Sequence, residues 1–213
     1  MKLFPRIYPI LDSSRIPAAG RAEFLRRLGK SLTDAGVTLL EYRNKTGSET
    51  ELLGDGVGLR QALPAGQVKL ILDDRADLVD RLGFDGVHVD SGDVSPGEAR
   101  RMLGPDRIVG TFGGSDSLLP GILNEPADYF SIGPVFPTTT KETSKAPIGI
   151  EGVRRLREQA GPDAVLVAAA GITLEAALDV LEAGANTVAV AAALFSKPDP
   201  AAEFRRWNAF LGS

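Results

Sequence analysis

Cysteine is missing from the 213-residue chain, which excludes disulfides and thiolate metal sites alike. Histidine is almost missing: His88 stands alone at the end of an expected strand and reads as a packing residue rather than a catalytic one. Long apolar runs are lacking too. The longest, Val188 to Phe195, is far too short to span a bilayer, and the opening Met1-Lys2-Leu3-Phe4-Pro5 lacks the apolar core of a signal peptide. The cytoplasm is therefore the expected location, with no membrane partner. Nor is there a basic excess: 24 Lys and Arg against 28 Asp and Glu leave a net charge of −4, so no nucleic-acid partner is expected. An anionic ligand must then be held by a few focused cations. No linker or low-complexity tract divides the chain, which reads as a single domain over residues 1–213.

What the sequence does contain is alternation. Short β-branched or aliphatic runs alternate with stretches of helical period, the pattern of a parallel sheet with helical crossovers. Strands are expected at 6–11, 39–43, 69–72, 86–89, 108–111, 129–132, 165–169 and 187–190, mostly continuous in apolar character because both faces are buried. Ser95-Pro96-Gly97-Glu98 reads as a capping box, Asp74 is placed to cap the helix carrying Ala76 to Leu82, and Gly36, Gly83, Gly104 and Gly184 fall where helices should stop. Eight such units make an α/β fold, a compact (β/α)₈ TIM barrel. The competing open, doubly wound sheet lacks its Gly-x-Gly-x-x-Gly signature after the first strand. Trp207, with Phe204 and Phe210, is expected to anchor the last helix, and Arg100-Arg101 and Arg154-Arg155 to lie on solvated helix faces.

The reactive face of such a barrel is the carboxyl end of its strands. Arg43 and Lys45 close the second strand, Asp73 and Asp74 the third, and Asp90 and Asp93 the fourth. The sixth opens into Gly133-Pro134-Val135-Phe136-Pro137-Thr138-Thr139-Thr140-Lys141, where hydroxyls, backbone amides and one ammonium suit a phosphate or pyrophosphate. Ala170-Gly171-Ile172-Thr173 opens a helix whose N-terminus can receive a phosphate monoester, and Ala191-Ala192 is small enough to let one approach the backbone. The carboxylates between these anion sites fit Mg²⁺, which takes a few carboxylates and completes its shell with water and phosphate oxygens. Two small phosphorylated substrates, one of them a diphosphate, suggest a transferase.

Tyr-Arg-Asn-Lys at 42–45, Asp-Arg-Ala-Asp-Leu at 74–78, Gly-Phe-Asp-Gly-Val-His-Val at 83–89, the 133–141 stretch and Ala-Gly-Ile at 170–172 follow one another in an order and spacing that resembles the thiamine-phosphate synthases. The resemblance spans nearly the whole chain. It implies coupling of hydroxymethylpyrimidine diphosphate to thiazole phosphate, giving thiamine phosphate and pyrophosphate. It also implies that Arg43, Lys45 and Lys141 hold the diphosphate, Arg43 and Lys141 being catalytic. Asp74 and Asp93 would ligate Mg²⁺, while Thr138, Thr140 and the Gly171 amide would hold the thiazole phosphate.

Four positions depart from the family pattern. Glu41 replaces the usual glutamine and Asp73 an asparagine; Gly92 lies in a segment without the familiar glycine and glutamine before the metal-binding aspartate; Phe112 replaces a serine that would touch the diphosphate. Negative charge is added and neutral donors are removed. Two other readings stay open: a barrel enzyme acting on another phosphorylated heterocycle, and a non-catalytic paralogue that binds thiamine phosphate or thiazole phosphate. No motif specifies an oligomeric state.

Overall fold

The computed structural model describes residues 4–138 and 145–212. Its strands are β1 (Ile7–Asp12), β2 (Leu39–Arg43), β3 (Lys69–Asp73), β4 (Gly86–Val89), β5 (Ile108–Gly114), β6 (Tyr129–Ile132), β7 (Leu166–Ala169) and β8 (Thr187–Val190). Each pairs in parallel with the next, and β8 closes on β1 to complete the barrel. The helices are α1 (Arg21–Asp34), α2 (Glu49–Ala62), α3 (Val79–Leu82), α4 (Pro96–Leu103), α5 (Gly149–Ala160), α6 (Leu174–Glu182), α7 (Ala192–Phe195) and α8 (Pro200–Leu211).

The expected strand bounds hold at β2, β4, β6 and β8, whereas β5 runs on to Gly114 through an irregularity after Phe112. One expected helix is replaced. The β5–β6 connection carries only a 3₁₀ turn at Ile122–Asn124, because Pro120, Gly121 and Pro126 interrupt any helical register. Ser95 does cap α4, accepting from the Glu98 amide at 3.1 Å. Asp74 caps nothing: the 3₁₀ turn at Ala76–Leu78 begins after Arg75, and the Asp74 side chain turns instead to Lys45.

Two apolar layers hold the barrel. Outward side chains such as Leu40, Leu72 and Val87 pack against the helices, while Phe4, Tyr8, Leu39, Ile71, Ile108, Tyr129, Val167 and Ala189 fill the interior. Trp207 and Phe204 bury the last helix as expected, but Phe210 is 49% exposed on its outer side and anchors nothing.

The base of the barrel repeats one device three times. Arg60 of α2 donates to Asp85, and Asp85 accepts from the amide of Leu70, the second residue of β3. Arg100 of α4 donates to Asp128 at 2.7 Å, and Asp128 accepts from the Val109 amide. Arg157 of α5 donates to Asn186, which accepts from the Leu166 amide at 2.8 Å. Each arginine also covers carbonyls at the end of its own helix. Arg101, Arg154 and Arg155 are exposed as expected, but Arg100 is a half-buried clamp: orphan helix-end carbonyls need donors, and it supplies them.

Candidate active site

Strand periodicity aims alternate residues into the barrel. Inward from β2 come Leu39, Glu41 and Arg43, from β3 Ile71 and Asp73, and from β4 Gly86, His88 and Asp90, so the interior changes from apolar to charged as it nears the mouth. Asp73, His88, Gly110 and Tyr129 are register partners across β3 to β6. A Cβ on Gly110 would sit 1.9 Å from the Tyr129 ring; its absence lets that ring stack on His88 with centroids 5.5 Å apart. Tyr129 Oη lies 3.0 Å from both His88 Nδ1 and Tyr8 Oη, forming one buried polar chain.

Charge is concentrated around that chain. Burial pushes Glu41 up to about 7, against the pull of the His88 cation, and Asp73 adds to the rise. Burial works against a charged His88, yet Asp90 and the Glu41 and Asp73 carboxylates outweigh it and push the imidazole up to about 9. The lone histidine is therefore part of the pocket wall as well as packed, which revises its reading as packing alone.

At the rim Arg43 pairs with Asp12 and lies 3.6 Å from Asp73. Asp12 doubles as the cap of the 3₁₀ turn at Ser13–Arg15. Lys45 stands 3.1 Å from Asp73 and 2.5 Å from Asp74. Burial opposes its ammonium, but the two carboxylates raise its pKa overall. Asp74 adopts a left-handed φ of 68° and is fixed by its amide on the His88 carbonyl at 2.8 Å. Asp93 folds back to accept from the Asp90 amide at 2.8 Å. Burial and the neighbouring Asp74 carboxylate raise its pKa.

Two adjoining cavities open here. The first, about 310 Å³, is lined by Glu41, Arg43, Asp73, His88, Phe112 and Thr138 among others. The second, about 330 Å³, is lined by Thr138, Gly171, Ala191 and Ala192. Gly171 has φ 72°, and a Cβ there would meet the Phe136 carbonyl oxygen at 2.5 Å, so glycine alone permits this close wall. Arg43, Thr138 and Ala170 border both cavities. Thr140 and Lys141 lie outside the described residues.

A divalent cation suits this rim. Asp74 and Asp93 face each other as like charges, and the buried Asp73 Oδ2 lacks a well-aligned hydrogen bond despite Lys45 at 3.1 Å. Among the described residues no three His, Cys, Asp or Glu side chains are placed to hold a metal ion by themselves, so the donor set fits an ion completed by water and phosphate oxygens rather than a protein-only cage.

Tyr8 and Tyr129 also line the first cavity, although neither stands at a strand's carboxyl end. The signal was available: both occupy inward positions of strands, and a tyrosine hydroxyl inside a barrel needs a polar partner.

A family model described as thiamine monophosphate synthase matches residues 7–194. The thiamine-phosphate synthase of Koribacter versatilis is 40% identical over 194 residues, covering 91% of this chain and 90% of that protein. That of Chloroflexus aurantiacus is 32% identical, covering 97% and 92%. The solved thiamine phosphate pyrophosphorylase of Pyrococcus furiosus superposes with a TM-score of 0.74 at 25% identity, covering 97% of this chain and 96% of that one. With its barrel, its charged mouth and these matches, the chain belongs to the thiamine monophosphate synthase family.

Proposed function

We propose that the protein joins hydroxymethylpyrimidine diphosphate to thiazole phosphate, yielding thiamine phosphate and pyrophosphate. The observation that carries the reading is the convergence of Arg43 and Lys45 with Asp73, Asp74 and Asp93 at one end of one barrel. Arg43 and Lys45 exchange part of their hold on Asp12, Asp73 and Asp74 for phosphate oxygens, and Lys141 joins them as a third cation. Asp74 and Asp93 would hold Mg²⁺, which when bound offsets the charge of the diphosphate. The pyrimidine is assigned to the cavity walled by Glu41, His88 and Tyr129, and the thiazole phosphate to the one walled by Thr138, Gly171, Ala191 and Ala192, with Thr140 completing it.

The carbon–oxygen bond to the diphosphate breaks and its electron pair leaves with the oxygen. The thiazole nitrogen lone pair then forms the new carbon–nitrogen bond, and no proton moves. No general base is needed; the residues align the two rings and balance shifting charge. Glu41, Asp73 and Asp90 oppose the bound diphosphate but favour the positive ring left as it departs. Those carboxylates also favour a second reading, a different phosphorylated heterocycle with a more basic ring. Incubation of the purified protein with both substrates and magnesium tests the first: thiamine phosphate and pyrophosphate should appear in equal amounts. Pyrophosphate release only from another heterocyclic diphosphate selects the second.

A further inference from the structure

Lys145 lines the first cavity together with Arg43, Asp90 and Thr138, and its ammonium stands 3.5 Å from the centroid of the Phe112 ring. Phe112 is on β5, just before the irregularity that leads to Gly114, and its ring forms cavity wall three strands round from Arg43. On the β2 side Arg43 pairs with Asp12, and Lys45 with Asp73 and Asp74. Glu41, Asp73 and Asp90 add carboxylates to the same cavity. A diphosphate entering it gains from positive charge on the β5 side, where Lys145 stands.

The ring gives that charge a resting place. An ammonium over an aromatic face is held by the ring quadrupole and partly stripped of water, and its N–H donors can turn to a stronger acceptor on the cavity side while the ring keeps it in place. Charged phosphate oxygens are such acceptors. We propose that Lys145, docked on Phe112, is a diphosphate-binding cation of this pocket and grips the ligand from the side opposite Arg43. The inference deepens the proposed function and rests on it for the identity of the substrate.

The probe is inorganic pyrophosphate with magnesium, titrated calorimetrically into the purified protein. Lys145→Gln should weaken binding about tenfold, the worth of one charge-assisted hydrogen bond at a wet site, while Lys145→Arg stays within about twofold of wild type. Phe112→Leu should weaken it about threefold alone and add nothing to Lys145→Gln, because the ring acts through the ammonium. In turnover the KM for the diphosphate substrate should rise in step, with the KM for thiazole phosphate unmoved. Unchanged pyrophosphate affinity in a folded Lys145→Gln variant overturns the inference, as do additive effects at 112 and 145 or no pyrophosphate binding by wild type. A wild type that binds pyrophosphate through Lys145 but forms no thiamine phosphate sinks the synthase reading and supports the cation.

Discussion

The two ends of the barrel are built on opposite plans. At the base, arginines from α2, α4 and α5 repeat one clamp, each donating to an Asp or Asn that in turn accepts from an amide at the start of a strand, its first or second residue. At the mouth nothing repeats: β2 contributes cations, β3 and β4 carboxylates, β5 an aromatic ring, and β7 and β8 small residues. Among the described residues each end has one buried side-chain atom without a hydrogen-bond partner, Arg60 Nε below and Asp73 Oδ2 above. The Arg60 group is otherwise bonded to Asp85 and two carbonyls, whereas Asp73 belongs to the wall of an open cavity. Repetition with satisfied partners is what stability requires; unlike charges held close together, with capacity to spare, are what a ligand requires.

The contrast predicts which substitutions separate activity from stability. Arg43→Ala should lower the rate of thiamine phosphate formation by about 10²–10³, since charge that develops on a leaving diphosphate loses a fixed cation. Arg157→Ala, which strips donors from the Gly161, Ala164 and Gly184 carbonyls and from Asn186, should cost about 3 kcal/mol in urea unfolding. Its rate per folded molecule should stay near wild type.

A smaller effect sharpens the comparison through pH. Burial raises the folded-state Glu41 from 4.5 to about 7, so the fold prefers it protonated. That contribution is complete below about pH 4.5 and is lost as pH climbs through 7. Glu41→Gln should therefore flatten the decline of the urea midpoint between those values, while Arg157→Ala shifts the whole profile without changing its slope. The smallest effect is expected at Phe210, whose exposed ring predicts a change within about 0.5 kcal/mol for Phe210→Ser, read from the same unfolding curves.

Much of the mouth was legible because strand ends in a barrel all point one way. Arg43, Lys45, Asp73, Asp74 and Asp93 could be gathered from sequence once the eight apolar runs were in register. What lay hidden depended on neighbours far apart in the chain. Nothing local says that Gly110 makes room for Tyr129, or that Tyr129 then stacks on His88. The clamp at Arg100 was hidden for the same reason: a polar residue on a helix looks solvated until the turn before β6 brings Asp128 to it. Asp74 looked like a cap by its place before a helix, and the left-handed backbone that aims it at Lys45 carries no sequence mark in a non-glycine residue.

The most direct measurement pairs kcat/KM for thiamine phosphate formation with the urea midpoint, on Arg43→Ala and Arg157→Ala side by side. The division of labour predicts a crossed result: Arg43→Ala keeps its midpoint close to wild type and loses activity, while Arg157→Ala keeps activity per folded molecule and loses its midpoint. Parallel losses in both variants, or full activity in Arg43→Ala, would contradict it.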